Sequence, residues 1–156
     1  SFWSLPADYA RMNLIDHTDN SKFVNPTNTD VVTNHMIQPT MLAPNGGVRH
    51  ILITEMGFTS QSARIPTNEL NQAAAMVYAY KLTSSNPFIE GIVFHRQVDH
   101  ASEIRSDGMA LGIRTENSIK YAYGVFANMD KGNSPQYTDF ALPILGITSW
   151  AEVGLQ

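Results

Sequence analysis

The chain has 156 residues, of which 43% are hydrophobic, 10% aromatic and 15% charged. That is enough apolar material for one core and too little charge for disorder, so a single domain is expected across residues 1–156. A formal net charge of -4 with no run of Lys or Arg argues against nucleic acid or an anionic membrane as partner, and the absence of Cys excludes disulfides and thiolate chemistry.

The opening Ser1-Phe2-Trp3-Ser4-Leu5-Pro6 lacks the basic-then-apolar pattern of a signal peptide. No apolar run approaches the roughly 18 residues that span a bilayer. Residues 13–28 are rich in Asn, Asp, Ser and Thr and read as a long loop, with a short helical turn around 8–12. Thr29 or Asp30 can cap a helix through Val31, Val32, His35 and Met36. Pro39 stops it, because proline lacks an N–H and its ring clashes with the preceding turn. After the Gly46-Gly47 break, residues 48–54 are β-branched and apolar and predict a buried strand that delivers Glu55 to its C-terminal end.

Thr67 or Asn68 starts the clearest helix, with Leu70, Ala73, Ala74, Val77, Tyr80 and Lys81 at helical spacing. Ser84-Ser85-Asn86-Pro87 ends it, and residues 88–94 predict a second apolar strand. Two apolar strands joined by a helix form a βαβ unit: parallel, with a right-handed crossover, and covered on both faces. Residues 101–117 read as an irregular excursion containing Gly108 and Gly112. Ser118 can cap a helix with Ile119, Ala122, Tyr123, Phe126 and Met129 on one face. Residues 140–147 are apolar but hold Pro143 and Gly146, which leaves helix and strand both open. Ser149 and Glu152 fit a capping box.

Two clusters carry chemistry. Glu55 follows Ile51 and Ile53 on one strand face, so a carboxylate emerges where the apolar core ends. Gly57 permits a tight turn beside it, and Phe58 is the aromatic residue best placed to line a site. The second cluster is His95-Arg96-Gln97-Val98-Asp99-His100, just past the end of the second strand. If the extended backbone persists, His95, Gln97 and Asp99 share one side and Arg96 and His100 the other. Parallel strands place this cluster at the same rim as Glu55. Its dense donors and acceptors suit a hydroxyl-rich ligand, and Arg96 can hold Glu55 ionised. A polar network that ties loops down would use the same residue types. No metal is expected, since His95, Asp99 and His100 do not have the spacing of a helical zinc-binding pair. No Gly-x-Ser-x-Gly elbow and no phosphate-binding glycine loop occurs, so no serine triad and no cofactor is expected. His17, His35 and His50 have no visible partner, and most aromatic residues at helical spacing read as core.

At Ile53-Thr54-Glu55 with Gly57, the sequence resembles the seventh strand of the large retaining glycosidase superfamily with a (β/α)8 barrel. Asn71-Gln72-Ala73-Ala74-Ala75, the Phe94–His100 stretch and Gly108-Met109-Ala110-Leu111-Gly112 extend that resemblance toward an uncharacterised bacterial family of such barrels. The resemblance implies the α/β fold class and the C-terminal portion of a TIM-type barrel, strands seven and eight with their helices, incomplete as a barrel. It implies Glu55 as the catalytic nucleophile, with His95, Arg96, Gln97, Asp99, His100 and Phe58 binding a carbohydrate substrate. Retaining glycosidases need a second carboxyl group about 5–5.5 Å from the first. In the superfamily it ends strand four, which would precede residue 1, so residues 1–156 alone are expected to be inactive. The runner-up is a non-catalytic carbohydrate-binding or assembly module. Open sheet edges imply homo-oligomers, and the resemblance favours a secreted or cell-surface location.

Overall fold

The computed structural model describes residues 16–22 and 24–153. The helical turn expected around 8–12 lies outside the described residues. A 3-10 turn at Pro26–Asn28 leads into helix α1, Asp30–Met36, and a second such turn at Pro39–Met41 follows it. Strand β1 is Ile51–Met56, helix α2 is Glu69–Ser85 and strand β2 is Ile89–Phe94. Four short helices follow: α3 at Ala101–Asp107, α4 at Tyr121–Phe126, α5 at Pro135–Thr138 and α6 at Ala141–Leu145. A last 3-10 turn spans Trp150–Glu152.

The β1–α2–β2 unit is parallel, as the apolar–helix–apolar pattern predicts, with Ile51 opposite Ile89, Ile53 opposite Ile92 and Met56 opposite Phe94. Helix α2 starts at Asn68, whose side chain accepts the Asn71 N–H. Its Ala73, Ala74, Ala75 and Ala79 are wholly buried. Small side chains let the helix axis approach its neighbours closely, and they also carry high helix propensity. Met76 and Val77 complete this face, and Met56, Ile92 and Phe94 of the strands pack against it together with Val125, Met129 and Ala141. The core therefore sits between α2, one face of the sheet and the C-terminal helices.

The expected portion of a barrel is not what forms. The described residues hold two parallel strands in one open sheet, with no further strand–helix series to occupy the places of strands seven and eight in a ring. Barrel closure needs a staggered circle of strands. Here residues 101–153 contribute short helices and turns instead. The two-sided covering expected of parallel strands also fails: Leu52 and Val93 are 57% and 52% exposed on the face away from α2. Two strands are marginal alone, so the sheet depends on α2 for its stability. No helix among the described residues is long and apolar enough to cross a membrane.

Candidate functional site at the ends of the two strands

Glu55 emerges at the C-terminal end of β1, exposed, in register after Ile51 and Ile53. These three residues line a pocket of about 160 Å³ closed on its other side by Asn25, Thr29 and Val32. Asn25 and Thr29 reach it because the turn before α1 is self-capped, with the Asn25 side chain accepting the Thr27 N–H at 2.9 Å. Glu55 makes no hydrogen bond or ion pair among the described residues. Among the described residues no second carboxylate lines its pocket.

The ladder continues past β2 through His95 N–H, which donates to Met56 O at 2.8 Å. From there the backbone leaves the sheet; the His95–Arg96 peptide bond is cis. Residues 96–99 then run beside 111–114. Ile113 N–H donates to Arg96 O and Arg114 N–H to Gln97 O, each at 3.1 Å, and Asp99 N–H donates to Arg114 O at 3.0 Å. The regular alternation expected for His95–Asp99 ends here, since the adjacent Arg96 and Gln97 line one pocket together.

The side chains of the cluster divide into three uses. Arg96 Nη1 donates to Glu103 Oε1 of α3 at 2.6 Å, and His95 Nε2 lies 3.3 Å from the same oxygen. Arg96 is thus committed to Glu103, not to Glu55 as the sequence suggests. Asp99 turns inward: its Oδ1 accepts from Lys120 Nζ at 2.7 Å and from Gly112 N–H at 2.8 Å. Lys120 also donates to Ser60 Oγ at 2.9 Å, and Thr59 Oγ1 accepts the Ala110 N–H. Gln72, wholly buried on α2, donates to Phe58 O and Gly112 O. These bonds form a buried polar knot that fixes the loop from 108 to 114, so Asp99 serves the loop-tying role. His100 occupies the N-cap position of α3 without a capping hydrogen bond, and its Nδ1 lies 2.5 Å from Ser102 Oγ. Phe58 is 2% exposed and packs its ring against Phe94, so it supports the site from within the core and does not line it.

A second pocket, of about 380 Å³, opens beyond β2 and is lined by Phe94, Arg96, Gln97, Ile113, Tyr123, Phe126 and Ala127. The sequence places Tyr123 and Phe126 on the buried stripe of their helix. Instead Ala122, Val125 and Met129 are buried while Ile119, Tyr123 and Phe126 are exposed. The sequence alone does not mark Glu103, Gln72 or Lys120 as site or scaffold residues. For Glu103 the only signal is that it is the first carboxylate after the His95–His100 cluster, in a segment that reads as loop. For Lys120 there is none, because a single lysine before an apolar helix reads as surface. His17 and His50, given no partner above, lie 2.9 and 3.0 Å from Asp30 and Glu90 at exposed positions, where such pairs contribute little. No group of three or more His, Cys, Asp or Glu among the described residues is placed to hold a metal ion.

The chain belongs to a family of unknown function, DUF5722, whose profile matches residues 1–153. No curated protein and no solved structure matches it at a significant level.

Proposed function

We propose that this family member takes part in cleaving glycosidic bonds by a retaining mechanism, with Glu55 as the nucleophile. The observation that carries the reading is Glu55 itself: an exposed carboxylate at the C-terminal end of a parallel strand, unpaired among the described residues, above the apolar pair Ile51 and Ile53. Support also comes from the next strand, whose end presents Arg96 and Gln97 at the same rim. Such donors and acceptors suit sugar hydroxyls.

In this reading a Glu55 oxygen bonds to the anomeric carbon as the bond to the leaving oxygen breaks. A second carboxyl group gives that oxygen its proton, then takes a proton from the water that releases the sugar from Glu55. No second carboxylate lines the Glu55 pocket among the described residues. Glu103 is already engaged by Arg96. In this reading the described residues alone are expected to turn over no glycoside, and the acid–base carboxyl group is supplied from outside them.

That no second carboxylate among the described residues lines this pocket favours one second reading: a carbohydrate-binding module that does no cleavage. Substituting Glu55→Gln in the protein at its natural length separates the two. Hydrolysis lost, with sugar binding kept, supports the nucleophile. Full hydrolysis by the variant rules it out, and binding with no hydrolysis by the unaltered protein favours the module.

A further inference from the structure

We propose that the pocket between the end of β2 and α4 is a subsite for one neutral sugar ring, with Tyr123 and Phe126 as its aromatic walls and Arg96 and Gln97 as its hydrogen-bonding edge. This rests on the carbohydrate reading above and extends it, because the subsite shares no lining residue with the pocket of Glu55.

The volume of about 380 Å³ falls within the range of small-molecule sites, roughly 300–1,000 Å³. Its floor is Phe94 and the buried Ile113. Phe126 stays 46% exposed and Tyr123 38% exposed, although the opposite face of their helix already supplies the core through Ala122 and Val125. Two large aromatic rings left half-bare beside a polar edge are an amphipathic surface. A pyranose or furanose ring is amphipathic in the same way, with C–H groups on its faces and hydroxyls around its rim. Phe126 is held for that task by an edge-on contact with Phe94, with centroids 6.1 Å apart at 87°.

Charge selects the neutral ring. The guanidinium of Arg96 already faces the Glu103 carboxylate at 2.6 Å, so its charge is matched before any ligand arrives. An anionic sugar would have to compete with Glu103 and would be repelled by it. A hydroxyl needs only one of the donors that Arg96 has left, since a guanidinium carries five N–H groups.

The test is an NMR titration of the chain with cellobiose, xylobiose, mannobiose and glucuronate, followed by amide chemical shifts. The proposal expects at least one neutral disaccharide to shift residues 94–97 and 123–127. It also expects Phe126→Ala and Tyr123→Ala each to weaken that binding roughly three- to tenfold, while Phe126→Tyr retains it. Unchanged thermal melts would show that these variants remain folded. Shifts confined to 53–56 would overturn the subsite and leave the Glu55 reading standing. Preferential binding of glucuronate, or no binding of any sugar, would overturn it as well; the Glu55 reading is decided separately, by covalent labelling.

Discussion

Lys120 Nζ lies 2.7 Å from Asp99 Oδ1, with the two side chains only 4% and 11% exposed. The same ammonium holds Ser60 Oγ at 2.9 Å, so one cation joins the segments after β1 and after β2 to the start of α4. Removing one member of a buried pair leaves the other charge without compensation, at about 3–5 kcal/mol. Lys120→Met is expected to destabilise by that amount, lowering the melting temperature by roughly 6–20 °C. The double variant Asp99→Leu with Lys120→Met should lose less than the sum of the two single variants, because no charge is then stranded. Chemical denaturation measures both, and a loss below about 1 kcal/mol for Lys120→Met would show that the pair is dispensable.

Gly112 is the tightest point of the same loop. A Cβ there would sit 2.2 Å from Asp99 N, 2.5 Å from Val98 C and 2.7 Å from Arg114 O, all of them backbone atoms that no rotamer change can move. Gly112→Ala is expected to cost about 3 kcal/mol, at the upper end of ordinary overpacking. It should also speed hydrogen exchange at the amides of Ile113 and Arg114, which donate to Arg96 O and Gln97 O. Gly124, within α4, meets no atom inside 4 Å. Gly124→Ala is therefore the matched comparison and should be neutral or stabilising by up to about 1 kcal/mol. Equal effects of the two substitutions would remove the close-approach explanation.

Glu152 supplies a pH dependence near the C-terminal end. Its Oε1 accepts from Thr148 Oγ1 at 2.6 Å, Thr148 N–H at 2.7 Å and Ser149 N–H at 3.1 Å. The Thr148 side-chain bond first, then the two backbone N–H groups, hold its carboxyl below the ordinary carboxylate value. A depressed folded value means that the contribution is whole above the unfolded value and is lost as pH falls through the folded one. Amides of Thr148 and Ser149 should thus lose exchange protection on acidification, and Glu152→Gln should abolish that pH dependence. A pH-independent exchange rate ratio between wild type and variant would contradict this.

The uncovered sheet gives a prediction about association. Among the described residues strands β1 and β2 pair only with each other, and Leu52 and Val93 lie bare on one face. Open edges and exposed apolar residues favour self-pairing. The isolated chain should therefore show concentration-dependent mass by light scattering, reduced by Leu52→Lys with Val93→Lys. A strictly monomeric species at high concentration would argue against association through the sheet.

What could be read from the residues follows from where burial alone decides structure. The crossover helix was legible because its alanines and Val77 form a continuous apolar face, and both strands because their β-branched runs are interrupted by turn residues. The strand bounds shifted: β1 begins at Ile51 and not at Val48, since its ladder starts only where Ile51 N–H meets Phe88 O. Helix α3 was hidden because Ala101–Asp107 has Ile104 as its one large apolar residue and is anchored instead by Glu103 bonding back to Arg96. The roles of Asp99 and Arg96 were equally hidden. Each depends on a partner, Lys120 or Glu103, whose proximity arises only when the loop from 108 to 114 folds back. The barrel expectation failed for a related reason: a strand–helix–strand motif is local, whereas closure is a property of many strands that the described residues do not contain.

The proposed nucleophile role requires that Glu55 form a covalent bond to sugar. The most direct measurement treats the protein at its natural length with activated 2-deoxy-2-fluoroglycosides, which slow release of a glycosyl intermediate, and maps the adduct by peptide mass spectrometry. One fluoroglycosyl group on the peptide containing Glu55, absent in Glu55→Gln, is the predicted result. Turnover of glycosides with the label on another carboxylate would contradict it.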